Sequence, residues 1–114
     1  MKTVRLMIVD DDELVFFLTS RMIAALHLPT EVISCTDGLE AITYFKNNIN
    51  NADELPDVVF LDLSMPIMDG WEFLDEYSVL RSGIAKQNTL YVLSSSVSLQ
   101  RVEIAGQQRP FSSA

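Results

Sequence analysis

Asp57-Val58-Val59-Phe60-Leu61-Asp62-Leu63 is the stretch on which the fold turns. Val-Val-Phe-Leu is the most strand-like run in the chain, and it stops at an acid. The same arrangement occurs earlier. Val4-Arg5-Leu6-Met7-Ile8-Val9 is nearly continuous in apolar residues and ends at Asp10-Asp11-Asp12. That pattern suits a strand buried on both faces of a parallel sheet. Glu31 to Cys35 is another short strand, and Leu90-Tyr91-Val92-Leu93 is a fourth that runs into Ser94-Ser95-Ser96.

Between the strands the period becomes helical. Leu14, Phe17, Leu18, Met22 and Ala25 predict an amphipathic helix over about residues 13–27, with Asp12 as its cap and Pro29 as its end. Asp37-Gly38 signals a turn, and Ala41, Ile42, Phe45 and Ile49 mark a second helix. Asn47 to Pro56 is polar and rich in breakers, so it reads as a loop, as does Met65 to Gly70, where Asp69 closes the turn. Trp71, Leu74, Tyr77 and Leu80 define a third helix, and Leu99, Val102 and Ala105 suggest a fourth. Gln107 to Ala114 has no period.

Strand and helix thus alternate four times, which predicts an α/β, doubly wound parallel sheet with helices on both faces. In such sheets the site lies beyond the carboxyl ends of the strands. Applied here, that rule gathers Asp10-Asp11-Asp12, Asp62 and Ser94-Ser95 at one edge, although they are far apart in sequence.

Composition agrees with one domain, residues 1–114. Hydrophobic residues make up 48% and charged residues 21%. No apolar run reaches the roughly 18–20 residues of a membrane span, and the N-terminus lacks the features of a secretory signal, so a cytoplasmic location is expected. A net charge of −8 with only eight scattered basic residues argues against direct nucleic-acid binding. The single cysteine, Cys35, excludes an internal disulfide and reads as a half-buried strand residue. His27, near a helix C-terminus, reads as a surface residue favoured by the dipole, and Trp71 and the methionines as packing residues.

Carboxylates converging beyond apolar strands repel one another unless some are protonated or a cation lies among them. Oxygen ligands without nearby His or Cys favour a hard ion such as Mg2+. Such a set suits phosphoryl transfer with a carboxylate as nucleophile, and Ser94 could hydrogen-bond a phosphoryl oxygen.

Ile8 to Glu13 resembles the acidic start of response-regulator receivers. Phe60-Leu61-Asp62-Leu63-Ser64-Met65-Pro66-Ile67-Met68-Asp69-Gly70-Trp71-Glu72 resembles the segment around that family's phosphorylated aspartate, and Val92-Leu93-Ser94-Ser95 the end of its fourth strand. Order and spacing agree across about residues 4–100. The resemblance implies a flavodoxin-like receiver fold with strand order 2-1-3-4. It implies Asp62 as phosphoacceptor, and Asp10, Asp11, Asp62 and the Ser64 backbone carbonyl around Mg2+. Ser94 and Ser95 would bind the phosphoryl group. Pro66 and Gly70 would shape the loop. A sensor histidine kinase or histidine phosphotransfer protein would be the donor, a downstream protein the target, and the chain a phosphoacceptor rather than a conventional enzyme.

One departure stands out. Receivers continue to a fifth strand ending in Lys-Pro and a fifth helix, whereas no Lys follows Lys86 here. Arg109-Pro110-Phe111 comes too soon after Ser94 to fill that place. The expectation is a receiver whose fifth strand is missing, slow to phosphorylate, with an exposed fourth-strand edge available for a homodimer. A haloacid-dehalogenase-type phosphatase fits less well, since Ser64 stands where such enzymes want a second Asp. A pseudo-receiver that only binds partners is the remaining alternative.

Overall fold

In a computed structural model of the chain, the structure describes residues 3–93 and 99–101. Strands β1 (Val4–Val9), β2 (Thr30–Cys35), β3 (Val58–Asp62) and β4 (Thr89–Leu93) alternate with helices α1 (Glu13–Ala24), α2 (Gly38–Asn47) and α3 (Gly70–Leu80). A 3-10 turn, Arg81–Gly83, follows α3, and a short strand β5 covers Leu99–Arg101. The sheet order is β2-β1-β3-β4-β5. The first four strands are parallel, in the expected order 2-1-3-4.

The apolar runs become central strands because both of their faces are covered. Met7 and Val9 of β1, Val59 and Leu61 of β3, and Leu90 and Val92 of β4 are buried in one cluster with Ala41, Ile42, Phe45, Phe73, Leu74 and Tyr77 of α2 and α3. Phe45 meets Tyr77 edge-on at 5.4 Å between ring centroids, and Phe73 stacks on Tyr77 at 5.8 Å. Each such buried aromatic contributes about 1.5–3 kcal/mol. Leu6, Ile8 and Ile23 are buried outside that cluster, which places α1 on the other face of the sheet. Cys35 is fully buried at the end of β2, deeper than expected.

At the edge where the strands begin, the Arg5 backbone N–H donates to Asp57 Oδ2 at 2.9 Å, and Lys86 Nζ lies 3.2 Å from Asp57 Oδ1. Lys86 also donates to the Leu55 carbonyl at 2.9 Å. These contacts tie the starts of β1, β3 and β4 together and leave the opposite edge for chemistry. Among the described residues no helix is long and apolar enough to cross a membrane.

Four expectations are corrected. The stripe Leu14, Phe17, Leu18 and Met22 does not face the core: all four are more than half exposed, and the buried side of α1 is Ile23 with Val15, Phe16, Thr19 and Ser20 half-buried. A helical period shows that an apolar face exists, not which side the sheet takes. The helix also ends before Pro29. Ala25 caps it, and His27 adopts a left-handed φ of 56° just beyond.

Leu99, expected in a fourth helix, lies instead in β5. Val102 and Ala105 of that expectation are outside the described residues. Finally, the fourth-strand edge is not left open for a second chain. β5 pairs antiparallel with it over Tyr91–Leu93. Residues 94–98 are enough chain for a hairpin return, whereas a parallel crossover needs about a dozen residues or more.

Candidate functional site

Register alone brings the acids together. Val9 of β1 is level with Leu61 of β3, and Asp62 is level with Leu93 of β4. Asp10, one residue past β1, therefore comes beside Asp62 at the carboxyl edge. Carboxylate oxygens of Asp10, Asp11 and Asp62 all lie within 4.8 Å of one another.

Local hydrogen bonds fix each acid. The Asp10 N–H donates to the Cys35 carbonyl at 2.9 Å, anchoring the residue to the end of β2. Asp10 Oδ1 accepts from the Asp12 N–H at 2.9 Å. Asp12 Oδ1 accepts in turn from the Leu14 N–H at 2.9 Å and caps α1. Asp12 is thus a cap, as expected, and stands outside the three-carboxylate group. Asp11 is exposed between them. Asp62 Oδ1 accepts from the Ser64 N–H at 3.2 Å.

The loop after β3 is clamped from two sides. Gly70 donates its N–H to the Leu63 carbonyl at 3.0 Å, and Gly38, the first residue of α2, donates to the Met68 carbonyl at 2.8 Å. Both glycines touch backbone too closely for a side chain. A Cβ on Gly70 would lie 2.6 Å from the Asp62 carbonyl oxygen, and one on Gly38 would lie 2.6 Å from the Met68 carbonyl oxygen. Asp69 caps α3 with a reciprocal capping box to Glu72, at 2.9 and 3.0 Å. At the loop tip Ile67 has φ 68°, and the Met68 N–H reaches back to the Pro66 carbonyl at 2.7 Å, closing a γ-turn.

Burial raises the Asp62 carboxyl above the usual range; the Ser64 N–H opposes the shift and the charge of Asp11 adds to it. Asp10 is also raised, by burial first, with the Asp12 N–H opposing and the charges of Asp62 and Asp11 adding. Two half-buried acids beside a third form a site that favours a cation. The donor set fits Mg2+. It is oxygen only, from three carboxylates that lie within 4.8 Å of one another. Asp10, Asp11 and Asp62 are the residues that would hold it.

Of the expected site residues, Asp10, Asp11 and Asp62 come together. Ser64 contributes its N–H to Asp62. Ser94 and Ser95 lie outside the described residues, directly after Leu93, which is in register with Asp62. The Gly38 clamp and the Asp69–Glu72 capping box went unnoticed in the sequence. The spacing Asp-x-x-Glu would have revealed the second. Nothing in the sequence marks Gly38 as touching residue 68.

A parallel sheet in this order with carboxylates at its carboxyl edge defines a flavodoxin-like α/β domain. The response regulator receiver domain model matches residues 6–105, and the chain belongs to that family. It is 35% identical over 97 residues to the protein-glutamate methylesterase/protein-glutamine glutaminase of group 2 operon of Bradyrhizobium diazoefficiens, an alignment covering 85% of this chain and 21% of that protein. The chain therefore spans about a fifth of that relative's length. Among solved structures it is similar to the phosphorylated cyanobacterial phytochrome response regulator RcpA. The TM-score is 0.71 at 30% identity, over 85% of this chain and 69% of that one. It is also similar to the two component response regulator from Cytophaga hutchinsonii, with a TM-score of 0.73 at 29% identity over 86% and 73%.

Proposed function

We propose that this chain is the phosphoryl-accepting switch of a two-component relay. A histidine kinase or histidine phosphotransfer protein donates to Asp62, and the change is passed on through contacts with a downstream protein in the cytoplasm. The observation that carries this reading is the gathering of the Asp10, Asp11 and Asp62 carboxylates within 4.8 Å at the carboxyl edge of a receiver sheet. Its kinship with the phosphorylated regulator RcpA supports the same reading.

An Asp62 carboxylate oxygen forms a bond to phosphorus as the P–N bond of a phosphohistidine breaks, and the imidazole nitrogen keeps the electron pair and takes up a proton. Ser64 orients the nucleophile through its N–H. Asp10, Asp11 and Asp62, with the Ser64 carbonyl, would hold Mg2+, which would supply charge neutralisation at the phosphoryl oxygens. Ser94 and Ser95, which follow β4 in the sequence, would bind those oxygens. In the reverse phase a water oxygen bonds to phosphorus while the P–O bond to Asp62 breaks, releasing inorganic phosphate. The chain thus catalyses its own phosphorylation and dephosphorylation and turns over no separate substrate of its own.

The test is the intact mass before and after incubation with Mg2+ and acetyl phosphate, with Asp62→Asn alongside. One added phosphoryl group in the wild type alone is the expected result. No addition, or addition in both proteins, overturns Asp62 as the acceptor.

A further inference from the structure

The loop between β3 and α3, residues 63–69, is held at two points. At one, the Gly70 N–H closes on the Leu63 carbonyl, so the loop's own ends meet. At the other, α2 reaches in from outside: Gly38, its first residue, donates to the Met68 carbonyl at 2.8 Å. The second hold joins the loop to a helix that supplies none of the three clustered carboxylates.

Contact at that point is closer than a side chain allows. A Cβ on Gly38 would lie 2.6 Å from the Met68 carbonyl oxygen, 2.9 Å from Met68 Cγ and 3.1 Å from the Asp69 carbonyl oxygen. Two of these three atoms are backbone, so α2 rests directly on the main chain of the loop. The helix itself is anchored, with Ala41, Ile42 and Phe45 buried in the core. Between the two holds lies a strained tip, Ile67, left-handed at φ 68° and exposed. A strained conformation without burial persists only where its surroundings impose it. From Met68 the chain leads straight back to the site. The Met68 N–H donates to the Pro66 carbonyl at 2.7 Å, and the Ser64 N–H donates to Asp62 Oδ1 at 3.2 Å. A shift of Met68 therefore passes through the turn to Ser64, and from Ser64 to the Asp62 carboxylate.

We propose that Gly38 is a positioning residue for phosphoryl transfer: by seating α2 on Met68, it keeps the loop in the shape in which Ser64 orients the Asp62 carboxylate. This role rests on the proposed function and adds to it a part played by α2. Gly38 itself touches no reacting atom. Coupling between two sites is reciprocal, so a clamp that favours the metal-binding shape of the loop is itself favoured when the metal binds.

Two measurements test it. The first compares Gly38→Ala with Thr43→Gly, a change on the exposed side of α2 that weakens the helix and leaves the contact with Met68 in place. Circular dichroism establishes that each variant is folded. Mg2+ alone is titrated by calorimetry, and phosphorylation by acetyl phosphate is followed by intact mass. Gly38→Ala should bind Mg2+ about fivefold more weakly or worse. It should also be phosphorylated about tenfold more slowly at saturating Mg2+. Thr43→Gly should match the wild type in both. The second measurement needs no variant, so it decides the matter even where Gly38→Ala does not fold. In the wild type, Mg2+ should slow hydrogen exchange of the Gly38 amide by a larger factor than that of the Ala85 amide, which donates to the Ile49 carbonyl near the start of β4. Wild-type Mg2+ affinity and rate in Gly38→Ala, an equal loss in Thr43→Gly, or a Gly38 amide slowed no more than that of Ala85 overturns the positioning role and leaves the proposed function standing. A wild type that neither binds Mg2+ nor gains a phosphoryl group overturns the proposed function, and the positioning role with it.

Discussion

Gly70 and Asp62 are in backbone contact: a Cβ on Gly70 would sit 2.6 Å from the Asp62 carbonyl oxygen and 2.7 Å from the Cα of Leu63. The end of β3 and the start of α3 are therefore locked together by the lack of a side chain. Gly70→Ala should lose more to this overlap than it gains in helix propensity, which is worth about 1 kcal/mol. Both obstacles are backbone atoms, so relief requires moving the end of β3 or α3. A net loss of about 1–3 kcal/mol is expected in urea denaturation. Under the proposed function, the same change should also slow phosphoryl transfer to Asp62, because the displaced atoms carry the carboxylate. Unchanged stability would mean that the two elements slide freely.

Asp62 also weakens the fold that carries it. Burial raises its carboxyl, so the folded state holds the proton more tightly than the unfolded chain does. Its contribution to stability is then fully present below the ordinary carboxylate value of about 4 and is lost as pH rises through the raised value. At neutral pH without divalent ions, Asp62→Asn should melt a few degrees above the wild type. The gap should close below about pH 3, where both states of the wild type are protonated. It should also narrow on adding Mg2+, which at the proposed site would stabilise the wild type by binding its folded state. A variant that melts lower in chelator at pH 7 would show that the Ser64 hydrogen bond outweighs the charge.

What could be read in the sequence was what depends on period and on strand ends. Val4–Val9 and Val58–Asp62 are apolar runs closed by acids, and parallel pairing turns that one-dimensional mark into a shared edge. Asp12 was readable as a cap because capping is local. The α1 face was misread for the opposite reason. Leu14, Leu18 and Met22 have a helical period as good as that of a core face, and only packing shows that Ile23 lies inward. β5 was missed because Leu99 carries no strand pattern of its own; the open edge of β4 recruits it. The Gly38–Met68 clamp joins residues thirty apart through one backbone hydrogen bond, which leaves no trace in composition or spacing.

Tyr77 gives the core an alkaline limit. Its hydroxyl donates to Asn88 Oδ1 at 2.8 Å, and burial pushes its pKa from 10.0 up to about 12. The raised value means that the folded state keeps the proton. This part of the stability is complete below pH 10, and it is lost as pH rises from there through about 12. Tyr77→Phe should cost about 1 kcal/mol at neutral pH, because Asn88 Oδ1 loses its donor. The variant should show a shallower fall in stability above pH 10 than the wild type. Parallel slopes in that range would show that other tyrosines, not Tyr77, set the limit.

Ile67 is held where a β-branched residue is rarely found. Its φ of 68° is left-handed, its side chain is 75% exposed, and so burial does little to offset the conformation. The cost of a left-handed L-residue is about 1–2 kcal/mol. The conformation persists because its neighbours are pinned: Gly38 holds the Met68 carbonyl, and Gly70 holds the Leu63 carbonyl. Ile67→Gly removes the steric cost but adds freedom to the unfolded chain, worth about 0.4–1 kcal/mol. The net expectation is a gain of up to about 1 kcal/mol, seen as a higher urea midpoint at unchanged slope. Ile67→Ala, still subject to the left-handed penalty, should gain less. If glycine instead lowers the midpoint, the Ile67 side chain stabilises the loop by more than its backbone strain costs. The γ-turn would then be fixed by side-chain packing and not by the two glycine clamps.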